Sequence, residues 1–365
     1  MIIYLITIAL TTFLAWLYEN VMKKQKKIVF AIMVMIPAIV SGLRGVGTDY
    51  HLYNERFELM QNGTFNIAEL NLLYVVMQLF TRIGFSYQFF IFLTSVATVL
   101  TAFYIIIQYE REINLKFGVL SYMLTFYQMS FNIYRQVLGS ELFILALLFL
   151  LKKKNKKAFW IIFFLAAFVH TSIIPFALIY FIIPLTQQRK LARKRFTVYI
   201  LLSILVAVLP LMSELLIKVA RRLPHYAFYL SNFEYSDIGV GVFRYIILAV
   251  LPAMLIYRCK NSEDDVLVLN EVKTFSFLSV VGTILWMMSY ISTTYLYRLG
   301  YISLIVMPII HGYMIKRMKR DKIYFAVSLA IIAALLFFWW YDFIVLNSGD
   351  TYPYHFFWQD AAEFV

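Results

Sequence analysis

The sequence holds a single cysteine, Cys259, in 365 residues, which leaves no basis for an intramolecular disulfide framework. Charge is scarce too: 15% of residues are charged against 62% apolar, and the mean hydropathy is +0.76. Ordinary soluble domains carry about a quarter charged residues, so a water-soluble fold is excluded. No glycine-rich nucleotide loop, HExxH segment or paired-cysteine pattern occurs, and neither a metal nor a cofactor is expected. Segments of alternating polarity are missing as well, which argues against a membrane barrel. No basic domain interleaved with aromatics is present, so the net charge of +13 does not indicate nucleic acid.

What the chain does contain is a succession of apolar runs of roughly 15 to 25 residues, the length a helix needs to cross hydrocarbon. Backbone groups in lipid must be satisfied within the segment, so the expected fold is an all-α, polytopic transmembrane bundle. The first run, Ile2 to Tyr18, is followed rather than preceded by a lysine block at Lys23, Lys24, Lys26 and Lys27. That order predicts a permanent first span with its N-terminus outside. Three further basic blocks, Lys152 to Lys157, Arg189 to Arg195 and Lys316 to Lys322, also separate apolar runs and mark cytoplasmic loops. Placing all four inside predicts twelve spans: 2–20, 28–43, 86–108, 116–132, 136–151, 158–170, 172–186, 196–217, 243–257, 273–294, 299–315 and 323–341. Both termini then lie outside.

One integral membrane domain over residues 1–365 is expected, with external loops at 44–85 and 218–242 and an external tail at 342–365. The run 66–84 is interrupted by Glu69, Asn71, Gln78 and Arg82, and is read as an amphipathic helix on the outer surface. The run 158–186 gives only about 14 residues per leg, short of a full span, and predicts a short or re-entrant hairpin bent at His170-Thr171-Ser172 near Pro175.

This topology sorts the cations by type. The outside set is Arg44, Arg56, Arg82, Arg135, Lys218, Arg221, Arg222, Arg244 and Arg298, nearly all arginine, whereas lysine dominates the inside loops. Arginine's planar fork binds phosphate or carboxylate oxygens bidentately, while lysine acts as a point charge. The outer face is therefore expected to hold a phosphate-bearing or acidic ligand.

The densest polar stretch on that face is RGVGTDYHLY, Arg44 to Tyr53. Gly45 and Gly47 permit close backbone approach to a ligand, Thr48 is a candidate helix cap, and Asp49 and Tyr53 share a face if a helix follows. The competing reading is a capped turn in which Arg44 and Asp49 pair on the surface. Arg135 and Gln136 stand where the chain re-enters the membrane, with Asn132 and Gly139 expected on the same helical stripe. An ionisable residue at that depth points to function, and Gly139 would admit a neighbouring group. Glu141, deeper in that span, reads as an internal partner or helix-to-helix contact. His170 is either a hydrogen-bonded packing residue or a proton-handling group at the helix break. Arg298 follows a hydroxyl-rich stretch that suggests a wet cavity, or else an aromatic belt. Arg244 closes a loop of arginines and tyrosines suited to sugars and anions, or to a simple cover.

With these residues in view, the chain resembles the EpsG-type members of the Wzy-like bacterial polysaccharide polymerases. The likeness rests on Val46, Gly47, Thr48, Asp49, Tyr50 and Tyr53 after an early span, then on Arg135-Gln136 opening a span, a basic block, and His170 followed by two hydroxyls. It runs in order through most of the chain. Gly139 and Ile173 depart from the pattern at positions that bear on packing.

The resemblance implies polymerisation of undecaprenyl-diphosphate-linked oligosaccharide repeat units into an O-antigen, capsule or exopolysaccharide at the outer face of the bacterial cytoplasmic membrane. A glycosyltransferase-C-like arrangement is one form the bundle could take. Asp49, Arg135, His170 and Arg298 are the implied catalytic residues, and Arg44, Tyr50, Tyr53, Gln136 and Arg244 the implied substrate-binding ones. Partners would be the lipid-linked oligosaccharide and membrane lipid, with a chain-length regulator and a flippase as candidates. Rival readings are a ligase, a glycosyltransferase using polyprenyl-phosphate sugars, and a flippase. Against the last, the chain shows no internal repeat.

Overall fold

A computed structural model of the chain describes residues 1–64, 71–187, 244–258, 266–289, 295–318 and 322–359. Its α-helices are α1 Ile2–Asn20, α2 Lys23–Gly42, α3 Thr48–Gln61, α4 Leu72–Ile83, α5 Tyr87–Ile107, α6 Leu115–Tyr122, α7 Tyr134–Leu151, α8 Lys156–Val169, α9 Ile179–Gln187, α10 Leu251–Arg258, α11 Val266–Met288, α12 Tyr295–Leu304, α13 Met307–Arg317 and α14 Lys322–Trp340. Among the described residues the one β-type contact is an isolated antiparallel bridge between Arg44 and Phe356. The chain divides into two units, residues 1–173 with 307–365, and residues 174–306.

Among the described residues six helical segments are long and apolar enough to cross a membrane: Ile2–Asn20, Lys23–Gly42, Tyr87–Ile107, Tyr134–Leu151, Asn270–Met288 and Lys322–Val345. A seventh results if 296–304 and 307–317 count together. The all-helical membrane fold expected from composition is present, and the described residues do not by themselves confirm the count of twelve spans. The expected span 116–132 is α6 followed by a π-helical turn at Met123–Tyr127 and a short 3-10 turn at Met129–Phe131. The span 243–257 begins in another π-helical turn at Ile246–Val250, and 299–315 is divided between α12 and α13. Hydropathy reports burial in an apolar medium and is blind to such breaks in the hydrogen-bond ladder. The expected span 196–217 and the loop 218–242 lie outside the described residues.

Side-chain caps set several helix starts. Asn71, Ser86, Asn114 and Asn155 each accept from the backbone N–H three residues on, at Tyr74, Phe89, Phe117 and Ala158. The surface run 66–84 thus becomes a helix from Leu72, packed on α3 through buried Leu73, Tyr74, Met77 and Phe80. Residues 65–70, including Glu69, lie outside the described residues. The break at His170 falls where the sequence predicts it. α8 has 14 residues, about 21 Å of rise, and gives way through an extended His170 to a 3-10 turn over Thr171–Leu178 that contains Pro175.

In the first unit the two ends of the bundle differ chemically. At one end Lys26 Nζ lies 2.7 Å from Glu110, Lys152 Nζ lies 3.4 Å from Glu112, Lys316 donates to the Arg111 carbonyl, and the Leu115 N–H donates to Glu19 at 3.1 Å. The lysine blocks of three loops therefore meet around residues 108–115. α1, 19 residues and about 28 Å long, leads from there to the opposite end.

That opposite end holds Arg44, Asp49 and Arg135, and the C-terminal segment packs against it. N–H groups of Gly45, Gly47 and Thr48 donate to the carbonyls of His355, Asp350 and Gly349 at 3.0, 2.9 and 3.1 Å, and Phe357 N–H donates to Leu43 O at 3.0 Å. The Tyr4 hydroxyl donates to the Thr351 carbonyl, and Gln128 Nε2 donates to the Thr351 hydroxyl at 2.9 Å. The expected external tail is thus, from Asn347 to Phe357, an integral part of this end of the unit.

The apolar surface matches a membrane setting. α1 presents Ile2, Leu5, Ile6, Leu10, Phe13 and Trp16 outward, as lipid allows and water does not. α7 is the reverse, 72% buried, so the helix that carries Arg135 in its first turn is an interior one.

Candidate functional site

Two segments bring the site of the first unit together: the 44–61 segment that follows α2, and the start of α7. Gly47 is at φ +105°, a conformation L side chains rarely adopt, and a Cβ there would meet the Phe131 carbonyl at 2.8 Å. A Cβ on Gly45 would meet the His355 ring at 2.7 Å. The close approach these glycines permit is thus to the chain's own backbone and tail, where the sequence suggested a ligand.

Helix α3 starts at Thr48, so Thr48 is its first residue and not its cap. The capping acceptor comes from 83 residues away in sequence: Asn132 Oδ1 accepts the Asp49 backbone N–H at 3.2 Å and also the Thr48 hydroxyl. Asn132 precedes α7, with Ile133 between them at φ −109°, ψ 46°. It does not share a helical stripe with Arg135, because the helix has not yet begun. It fixes the turn of α3 that carries Asp49, in the first-turn position where the helix dipole favours negative charge.

Asp49, Tyr53 and Arg56 follow at i, i+4 and i+7 along one face of α3. Tyr53 is 2% exposed. Its ring lies 4.9 Å from that of Tyr134 and 5.9 Å from that of Tyr74. The Arg135 guanidinium sits 5.3 Å from the Tyr53 centroid and 5.2 Å from that of Tyr74. Arg56 sits 5.2 and 5.5 Å from the same two centroids and donates to the Tyr74 hydroxyl. Burial raises the pKa of the Tyr53 hydroxyl well above the usual phenol value, with Arg135 and Arg56 opposing and Asp49 adding to the shift, so all three charges act on this hydroxyl. Beneath them Tyr53, Phe57, Tyr74, Met77, Tyr134 and Leu138 belong to one buried cluster that joins α3, α4 and α7.

One turn into α7, Gly139 gives the room expected of it. A Cβ there would meet His170 Cβ at 3.1 Å, so the glycine lets the end of α8 approach the helix that Arg135 opens. His170 Nδ1 lies 2.5 Å from the Ser172 hydroxyl. Glu141 is 1% exposed and accepts the Tyr122 hydroxyl at 2.8 Å, the internal helix-to-helix contact weighed from sequence.

Other expected residues have structural engagements. Arg44 is 2% exposed; its terminal nitrogens donate to the carbonyls of Ser41 and Phe131, the latter at 3.2 Å, and its guanidinium lies 5.1 Å from the Phe131 centroid. Burial excludes the surface ion pair with Asp49. Arg44 ties the end of α2 to the segment before α7. Tyr50 donates to Gln88 at 2.9 Å, and Tyr87 donates to the Tyr50 carbonyl at 2.7 Å, which anchors α3 to the start of α5. Gln136 is 3% exposed within the first turn of α7.

Arg244 and Arg298 belong to the second unit. Arg244 is 7% exposed with its guanidinium 5.2 Å from the Tyr245 centroid. Arg298, on α12, directs Nε at the Tyr297 hydroxyl at 3.3 Å. Among the described residues no group of three or more His, Cys, Asp or Glu side chains could hold a metal.

Three residues of this end were weakly marked in sequence. Arg56 was one of nine outer cations, Tyr74 an ordinary aromatic in an apolar run, and Asn132 a supposed member of the wrong helix. The i+3 spacing of Arg56 from Tyr53 was the available signal. Asn132 yields a direct expectation: Asn132→Ala removes the acceptor at the start of α3 and should cost about 1 kcal/mol of stability there, whereas Asn132→Asp keeps an acceptor and should restore it. Hydrogen exchange at residues 48–52 measures both; equal protection in wild type and Asn132→Ala would contradict the cap.

No curated protein and no solved structure matches this chain. A family model, that of the EpsG family, matches residues 27–356, a stretch that contains every residue of the site just described. The fold, the VGTDY turn that opens α3 and this match lead to one assignment: the chain belongs to the EpsG family, a Wzy-like family of polysaccharide polymerases.

Proposed function

We propose that the protein polymerises oligosaccharide repeat units carried on undecaprenyl diphosphate, with its chemistry at the end of the first unit that holds Asp49 and Arg135, and with that end facing out of the cell. The observation that carries this reading is the Arg135 guanidinium over the Tyr53 and Tyr74 rings, at the interior helix start and at the end of the unit opposite the lysines. The positive-inside rule assigns the lysine end to the cytoplasm. A donor used outside the cell has no nucleotide sugar at hand and arrives already activated on its lipid.

In the proposed step a hydroxyl of the acceptor unit attacks the anomeric carbon of the donor glycan. A new C–O bond forms, and the bond from that carbon to the lipid diphosphate breaks. The diphosphate leaves with the electron pair, and Arg135 stabilises the charge it gains. Asp49 accepts the hydroxyl proton. His170, brought against α7 by Gly139, is the alternative base. Arg298 and Arg244 are further candidates for contacts to the anionic or sugar parts of the substrate.

The test is the glycan made by a strain lacking the protein. Single-repeat products on a gel, restored to a ladder by the wild-type chain, are expected. Loss of all surface glycan would point instead to a ligase or flippase. Reporters fused after Lys157 or Lys322 should read cytoplasmic and one inserted at Gly63 external, and the reverse would place Arg135 on the wrong face.

A further inference from the structure

We propose that Arg56 is a second diphosphate-binding residue, paired with Arg135 over the Tyr53 and Tyr74 rings; this rests on the reading of Arg135 as the leaving-group residue. The two guanidinium carbons stand at 5.2 to 5.5 Å from the same two ring centroids, which are themselves 5.9 Å apart. Points nearly equidistant from two centroids lie on a narrow circle about their midpoint, so the two cations are at most about 9 Å apart, close to one Debye length in physiological salt.

Two like charges held that close repel, and the ring faces offset part of the cost by cation–π attraction. A ligand with two anionic groups offsets more, because each guanidinium can present a fork to one phosphoryl group. Arg56 is held in position for such a contact by its bond to the Tyr74 hydroxyl, and it is half-buried on the face of α3 that carries Asp49 and Tyr53. Of the three acidic residues on α3, Asp49 shares this face and its charge acts on the same Tyr53 hydroxyl, while the other two have other settings. Glu58 accepts from Asn54 at 2.8 Å, and Glu55 is exposed.

The pairing also divides the labour along α3. Arg56, two turns from Asp49, would hold the diphosphate that departs. Asp49, at the helix start, would face the incoming hydroxyl. A residue that binds the diphosphate in substrate and transition state alike should act mainly on KM, unlike one whose contact strengthens as charge develops.

The experiment uses the full chain in lipid nanodiscs, titrated with undecaprenyl diphosphate, undecaprenyl monophosphate and inorganic pyrophosphate, for wild type, Arg56→Ala, Arg56→Lys and Arg135→Lys. Arg56→Ala and Arg56→Lys should each weaken undecaprenyl diphosphate about 10-fold or more, weaken the monophosphate less, and raise KM for polymerisation more than they lower kcat. If Arg56→Ala does not fold, Arg56→Lys, which keeps charge and bulk, decides. The same loss with pyrophosphate assigns the contact to the diphosphate itself, and a loss confined to the lipid assigns it to the headgroup held in place by its chain; either supports the pairing. Wild-type binding by the Arg56 variants with loss in Arg135→Lys overturns the proposal and leaves the Arg135 reading standing. Wild-type binding by all three overturns both.

Discussion

An Arg135→Lys chain should reach wild-type abundance in the membrane and yet form polymer on the order of 100-fold more slowly, the effect of removing one well-placed donor to a developing oxyanion. Lysine keeps the positive charge, so the electrostatics of insertion are retained. It loses the planar group that lies on the Tyr53 and Tyr74 rings and the two parallel N–H donors for a phosphoryl group. The buried residues that flank Arg135, Tyr134 and Leu138, are untouched and continue to pack α7. Polymer formation is read from purified lipid-linked units, with extraction yield and thermal stability as controls. A lysine variant of normal activity would show that a point charge is sufficient, and the leaving-group role of the fork would fall.

Asp49→Asn separates chemistry from structure at the start of α3. The side chain that completes the start of α3 is Asn132, which accepts the backbone N–H of residue 49 whether aspartate or asparagine stands there. Arg44 does not depend on Asp49, since its terminal donors go to the carbonyls of Ser41 and Phe131. The isosteric change should therefore leave the fold near wild type. If Asp49 takes the acceptor proton, the variant loses its base, and transfer should slow by on the order of 100-fold or more. Membranes supplied with substrate should then accumulate unpolymerised lipid-linked units. Wild-type chain lengths at matched expression would return Asp49 to a structural role and leave His170 as the base to test. A double variant, Asp49→Asn with His170→Ala, shows whether the two share one function: a loss no larger than that of the more damaging single variant marks a common step.

The local parts of this architecture are written in local sequence. Apolar run length gives membrane helices, and the lysine blocks at 23–27, 152–157 and 316–322 mark ends of helices that share one face of the first unit. The break at His170 follows from a short apolar leg with hydroxyls and Pro175 behind it. The expected spans are interrupted in the helix ladder at Met123–Tyr127, at Ile246–Val250 and between Leu304 and Met307, which hydropathy does not foresee because apolarity does not report a π-helical turn or a break.

The candidate site divides in the same way. Asp49 and Tyr53 on one helix face, and Gly139 as a point of close approach, were legible because a helical period and a missing side chain are local facts. The surroundings of Arg44 were not legible, because nothing in RGVG says that the chain's own Ser41, Ser95 and Phe131 surround it. The space at Gly45 and Gly47 looked like room for a ligand because its occupants, His355 and the backbone of Phe131, lie roughly 310 and 84 residues away in sequence.

By itself, then, the amino-acid sequence determined that this is a helical membrane protein with lysine-marked loops, and it placed Asp49, Arg135 and His170 at helix boundaries where polar chemistry is tolerated. Composition and period suffice for that, since hydrocarbon imposes one backbone solution and one charge asymmetry. Only the tertiary structure decided which arginines are committed to the fold and which converge: Arg44 buried among carbonyls, Arg135 and Arg56 on the same two rings, Asn132 at the start of a helix it does not belong to, and the Asn347–Phe357 segment sealing the VGTD turn. Apart from Arg56 on the Tyr53 ring, a contact within α3, each of those joins residues far apart along the chain. No local pattern encodes them, because their energy comes from packing and hydrogen bonds that exist only once the helices have assembled.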